Sequence, residues 1–205
     1  MVLFNLFGAG RKRETMPVFP LATVLFPGSL LPLRIFEVRY MDMAKACLKQ
    51  GSPFGVCLIR EGEEVGTAAV PEPIGCVARI ADADMDELGI LKVKAEGLER
   101  FRIVSADVGR DNLIVAEVER FDPEPEVNDT QGLAESAAFL AKVIASIGTD
   151  RFSGEPRFGD ASWVSFRLAE ILPLRNDVKQ KLLELTDATL RIAILHKFLR
   201  QQKLL

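Results

Sequence analysis

The sequence predicts an α+β fold in two unlike halves, an antiparallel β-barrel carrying one helix followed by a helical bundle. Three observations lead there. Short segments rich in β-branched residues and separated by Gly, Pro, Asp or Asn fill residues 17–121. Residues 121–132 then turn abruptly acidic and proline-containing. Beyond them the apolar period becomes helical. With 48% apolar and 27% charged residues in 205, the chain has the composition of a folded domain, long enough for a sizeable core.

The strand segments are 54–59, 74–80, 90–95, 101–105 and 113–118. In Lys92, Val93, Lys94 and in Arg100, Phe101, Arg102, Ile103 polar and apolar residues alternate, the pattern of a sheet with one face on a core and one in water. Glu96-Gly97 is read as the turn between two of these strands, giving a meander. So many short strands need their edges hidden, which favours a closed or nearly closed barrel. One helix interrupts them over 37–50. Tyr40, Met43, Ala44, Cys47 and Leu48 form its buried face, Glu37 lies in its first turn, and Gly51 and Pro53 end it.

The division that follows is residues 1–15 as a flexible N-terminal extension, 16–121 as the β-barrel unit, 122–132 as a linker and 133–205 as the helical unit. Met16 stands as an alternative start, because the apolar stretch precedes the basic Arg11, Lys12 and Arg13, the reverse of a signal peptide. In the helical unit, Leu133, Ala137, Leu140, Ile144 and Ile147 form one amphipathic seam ending at Gly148. A second helix carries Trp163, Val164, Leu168, Ile171 and Leu172 up to Pro173, and a short third carries Val178, Leu182 and Leu185. The last, about 187–202, is apolar around much of its girth and is expected at the centre of the bundle.

Several kinds of chemistry find no support. The net charge of -3 offers nucleic acid no general attraction, so no nucleic-acid partner is expected. No apolar run approaches a membrane span, and no membrane partner is expected. No phosphate-cradling G-x-x-x-x-G-K-[ST] loop occurs. Cys47, Cys57 and Cys76 lie far apart among apolar residues, which reads as reduced, cytoplasmic core filling with no activated thiolate. His196 is the sole histidine and reads as a surface group near a helix end; alone it supports neither zinc nor a triad. Asp82, Asp84 and Asp86 resemble the start of a calcium loop, but Glu87 and Val93 stand where Gly and Glu are required, so an acidic hairpin loop is expected. No catalytic residue, metal or cofactor is assigned.

One segment stands apart. Residues 17–40 hold Pro17, Pro20, Pro27 and Pro32 among large hydrophobes. Proline cannot donate to a sheet ladder, so this stretch is expected along edges and turns with some apolar side chains outward, as on a binding surface. The candidate surface comprises Leu25, Phe26, Pro27, Leu30, Leu31 and Pro32, with Arg34 and Arg39 as polar anchors. For Arg34, Glu37 and Arg39 a structural ion pair between strand and helix is the competing role.

The same segment carries a family resemblance. Phe19-Pro-Leu, Val24-Leu-Phe-Pro-Gly, Leu31-Pro-Leu-Arg-Ile-Phe-Glu and Arg39-Tyr40 resemble the opening of the substrate-binding domain found at the N-terminus of the ATP-dependent protease Lon. The similarity continues through 51–56, 64–66, 74–80, 97–103, 172–174 and 179–183, so it covers the chain from about Met16 onward. The resemblance implies a PUA-like barrel followed by a helical bundle, and a non-catalytic module that engages unfolded or tagged polypeptides. It implies a cytoplasmic protein acting as a proteolysis adaptor with a protease or chaperone partner. The ATPase and Ser-Lys peptidase modules of Lon have no counterpart in this sequence, so a peptidase label would rest on kinship alone. The alternatives are a small hydrolase with an unrecognised site and, by fold analogy, an RNA-binding module.

Overall fold

The computed structural model describes residues 13–205. The strands are β1 (Arg13–Leu21), β2 (Leu30–Ile35), β3 (Phe54–Glu61), β4 (Val70–Pro71), β5 (Ile74–Met85), β6 (Leu91–Val108) and β7 (Ile114–Arg120), with helix α1 (Val38–Gln50) between β2 and β3. Helices α2 (Leu133–Ile147), α3 (Ala161–Ile171), α4 (Asn176–Glu184) and α5 (Ala188–Gln201) complete the chain. The α+β class and the order of its halves are as the sequence predicts.

All seven strands join one sheet: six run in the order β1-β7-β6-β5-β3-β4, β2 pairs with β6 off that path, and β1 also pairs with β3, so five strands close a circuit. That closing pair is parallel, with Val18 opposite Gly55 and Leu21 opposite Leu58, where only antiparallel pairing was expected. Alternation gives no strand direction, so this pairing was invisible in sequence. β1 pairs with β7 over residues 13–18 and with β3 over 18–21. Pro17 and Pro20 therefore each sit where the strand has a neighbour on one side only, and neither missing N–H breaks a ladder. Residues 13–15, assigned to the extension, belong to β1 opposite residues 117–119. Arg13 Nε lies 3.0 Å from Glu119, a cross-strand pair that extends the ladder outward. Residues 1–12 lie outside the described residues.

The expected turn at Glu96-Gly97 does not form. β6 runs unbroken through both residues, with Gly97 buried in its middle. A Cβ there would lie 2.2 Å from the carbonyl oxygen of Phe26, and the Gly97 N–H donates to Ser29 O at 2.9 Å. The glycine thus admits the backbone of residues 26–29 against the strand instead of turning the chain. The true hairpin is at 86–90, where Asp86 accepts the N–H groups of Leu88 and Ile90. Asp82 and Asp84 stand on β5 opposite Lys94 and Lys92, not in a loop.

Helix α1 buries Tyr40, Met43, Ala44 and Cys47 against the sheet and closes at Gly51 in the left-handed conformation. Glu37 is its N-cap residue, one position before the first turn where it was expected. In the helical half α3, not α5, occupies the centre: nine consecutive residues from Ala161 are buried, whereas Leu190 and Ile194 of α5 are 47% and 44% exposed. Ser162, Ser165 and Arg167 disguise α3 as a partly polar helix. They are buried because each has internal partners, Ser165 Oγ accepting from Arg191 Nε at 2.8 Å.

The acidic stretch 122–132 forms neither helix nor strand, yet it is anchored. The Glu124 side chain is only 8% exposed. It receives Arg100 of β6 at 2.6 Å, Ser162 of α3 at 2.6 Å, and Arg191 of α5 at 3.0 Å on the same oxygen as Arg100. The two guanidiniums also donate to Leu183 O and Leu185 O, where α4 ends and its unpaired carbonyls carry partial negative charge. Arg191 stacks 3.8 Å from the Phe166 ring. Removing the carboxylate strands two buried guanidiniums, so Glu124→Ala should cost about 3–5 kcal/mol in urea unfolding. A loss within about 0.5 kcal/mol would mean that the network relaxes freely.

Candidate functional site

The residues singled out by sequence divide sharply. Leu25 and Phe26 are 2% and 0% exposed and belong to the core, not to a surface. Phe26 enters the helical core, its ring 5.8 Å from that of Phe166. A turn at Pro27-Gly28 sends the two preceding side chains inward, which proline content alone did not reveal. Pro27 is half-buried and its carbonyl accepts Arg167 Nη2 at 2.6 Å. Leu30 is half-buried, with its N–H on Arg151 O at 2.8 Å. Arg39 is a structural group: buried, it donates to Glu37 at 3.0 Å and to Asn112 O at 2.9 Å, and lies over the Tyr40 ring.

Leu31, Pro32 and Arg34 are brought together. They lie on β2, which pairs only with β6 among the strands. Leu31, Leu33 and Ile35 point toward the core while Pro32 and Arg34 face outward and are exposed, the period of two that a strand imposes. β2 is therefore an edge strand, and Pro32 with the already bonded Leu30 N–H discourages another strand from adding there. These residues form one wall of a groove of about 280 Å³. Phe19 and Tyr40, stacked at 4.0 Å between centroids, contribute to its lining. Burial pushes the Tyr40 phenol above its ordinary pKa, so it stays neutral.

Glu64 and Val65 also line the groove, and two carboxylates tie down their loop. Glu64 accepts the Ala22 N–H at 2.5 Å, and Glu37 accepts the Gly66 N–H at 3.3 Å while paired with Arg39. Between these ties Val65 is 54% exposed, and Phe36, which lines the same groove, is 57% exposed. Val38, at 72%, begins α1. Phe36 and Val65 are thus exposed hydrophobes in the lining of one concavity, a feature of the kind that binds partners. Phe36, Val38 and Val65 were missed from the sequence. Phe36 follows the last strand residue, and Val65 is a lone hydrophobe between Glu64 and Gly66, so neither belongs to a periodic pattern. Arg34 stands at the rim, 3.9 Å from Asp86 and 68% exposed.

The chemistry of the groove is that of contact, with Glu37 and Glu64 both committed to hydrogen bonds. Elsewhere, burial pushes the Cys57 and Cys76 thiols far above their ordinary range, the opposite of what a thiolate nucleophile needs. Among the described residues no group of three or more His, Cys, Asp or Glu is placed to hold a metal. Among them, too, no helix is long and apolar enough to cross a membrane. His196 is less exposed than expected, held 3.0 Å from Glu135 with Arg200 on the same carboxylate.

A closed sheet with one helix, a helical half locked to it, and an apolar groove beside β2 are the features to compare with known proteins. The profile of the ATP-dependent protease La (LON) substrate-binding domain matches residues 15–201. The chain belongs to this family. A solved Lon N-terminal domain protein from Xanthomonas campestris is 34% identical, with 89% of this chain and 96% of that one covered at a TM-score of 0.75. The N-terminal domain of Mycobacterium avium complex Lon protease shares the fold over the same fractions, at 20% identity and a TM-score of 0.59. Among curated proteins, Lon protease of Anaeromyxobacter dehalogenans (strain 2CP-C) is 22% identical over 196 residues, covering 92% of this chain and 23% of that protein. Protein cereblon of Danio rerio is 33% identical over 120 residues, 55% of this chain and 27% of that protein. The chain thus spans about a quarter of the length of these two relatives, and the matched family is that of the substrate-binding domain, so it is a Lon-like substrate-binding module.

The contrast between Phe26 and Phe36 is directly measurable. Phe26→Ala should cost about 3–5 kcal/mol of stability by opening a core cavity. Phe36→Ala should stay within about 0.5 kcal/mol in the same urea titration.

Proposed function

We propose that this chain is a non-catalytic binding module that holds unfolded or tagged polypeptide segments in the groove beside β2. Leu31, Pro32, Phe36, Val38 and Val65 supply the apolar contact, and Arg34 is a polar anchor at the rim. The observation that carries this reading is the exposure of Phe36 and Val65 in the lining of a concave site in a member of a substrate-binding family. Unfolded chains expose apolar side chains that folded proteins hide, and such a patch offers them burial at roughly 25 cal/mol per Å². The module acts as an adaptor in the cytoplasm, presenting its cargo to a protease or chaperone partner. The buried, protonated thiols and the committed groove carboxylates favour this reading over a hydrolase.

Binding of a fluorescently labelled unfolded polypeptide tests it. Phe36→Glu should weaken binding about tenfold, ~1.4 kcal/mol, with an unchanged circular dichroism spectrum. Apolar burial survives raised salt, so the affinity of an uncharged unfolded segment should persist; binding that vanishes by about 0.2 M salt would instead indicate electrostatic recognition. The purified protein should neither hydrolyse ATP nor cleave the bound polypeptide. Activity that follows single substitutions in this chain through purification would overturn the non-catalytic reading.

A further inference from the structure

Two concavities share a wall where β1 ends. β1 pairs with β3 as far as Leu21 opposite Leu58, and the chain then passes through Ala22 and Thr23. Thr23 lines the apolar groove, whereas Ala22 lines a second concavity of about 630 Å³ together with Leu58, Ile59, Glu72 and Asn176. Glu64 lines both. The groove therefore continues into its neighbour past a single backbone residue, Ala22.

Both backbone polar groups of that residue are capped by side chains from distant parts of the chain. The Ala22 N–H donates to Glu64 Oε1 at 2.5 Å, and the Ala22 carbonyl accepts from Asn176 Nδ2, at the start of α4, at 2.6 Å. A carboxylate acceptor and an amide donor thus reproduce, from two separate residues, what one opposed residue of an antiparallel strand presents. Ala22, Glu64 and Asn176 are all exposed, so displaced caps return to water and the exchange costs little. Until they are displaced, the caps keep the end of β1 from pairing indiscriminately.

We infer that an extended segment of bound polypeptide runs from the apolar groove past Ala22 into the second concavity, exchanging backbone hydrogen bonds with Ala22 in place of Glu64 and Asn176. The groove then takes apolar side chains, and Ala22 takes the backbone that every polypeptide shares. This pairing rests on the polypeptide-binding reading of the groove and adds the mode of attachment. Two uncharged, unstructured peptides of one Leu- and Phe-containing sequence separate the possibilities when titrated onto the full chain. One is unmodified and the other is N-methylated at every residue, which keeps the side chains and removes the backbone donors.

The unmodified peptide should bind roughly tenfold tighter, the worth of two such hydrogen bonds net of the caps they replace. Phe36→Glu should weaken both peptides equally and preserve their ratio. In the double variant Glu64→Ala, Asn176→Ala the caps no longer compete, so the unmodified peptide should tighten roughly threefold and the methylated one should not. Amide hydrogen exchange gives a readout independent of affinity. In Glu64→Ala the Ala22 N–H should exchange freely in the unbound protein, and saturation with the unmodified peptide should slow it about tenfold. Equal affinity for the two peptides, a double variant that tightens neither, or an Ala22 N–H left unprotected in the complex would reject the backbone pairing while leaving the groove intact. If neither peptide binds, the polypeptide-binding reading falls and the pairing falls with it.

Discussion

The Glu124 carboxylate is the single interaction on which the arrangement of the two halves depends. It stands in the one stretch that belongs to neither half, and it gathers a guanidinium from the sheet, Arg100, and another from the last helix, Arg191. Two buried cations on one anion would be unstable alone. The excess positive charge is spread over the carbonyls that end α4 and over the faces of Phe121 and Phe166, so each guanidinium is surrounded by partial negative charge. Burial tends to lower the Arg100 pKa, and Glu124 opposes that shift. The geometry is specific because a planar fork must meet several acceptors at once, which places α4 and α5 on the sheet in one register.

A second contact transmits the position of the helices to the groove. Arg167, fully buried in α3, donates to Pro27 O and to Ser29 Oγ, and Ser29 in turn donates to Glu170 at 2.7 Å. Phe152 forms a bridge with Ser29 beside them. These bonds hold residues 26–29 against Gly97, and that segment leads directly into β2. The strand that forms the groove wall is thus set from the helical half as well as by its own ladder. Separating the sheet from the helices would remove this support, and Phe26 and Val24, which fill the helical core, would be left exposed.

The same continuous segment joins two concavities. Pro27 and Gly28 line a cleft between the sheet and the helical half, and Leu31 to Phe36 line the apolar groove.

Much of this was written locally. The alternation of Lys92, Val93 and Lys94 defined the faces of β6, the 4-3-4-3 seam from Leu133 defined α2, and Gly51 and Pro173 marked ends, because secondary structure follows short-range periodicity and backbone geometry. The run from Leu31 to Glu37 was also enough to mark the family. Which hydrophobes of the proline-rich segment face water was not legible: Phe26 and Phe36 look alike in sequence, and a turn at Pro27-Gly28 buries one while the end of a strand exposes the other. The parallel β1–β3 closure, the role of Gly97 and the central place of α3 were equally hidden, as each depends on residues distant in sequence. Glu124 shows the reason most plainly. In an acidic, proline-containing stretch it reads as one more solvated charge, and only the convergence of Arg100, Ser162 and Arg191 from three separate elements turns it into the buried anion that joins the halves.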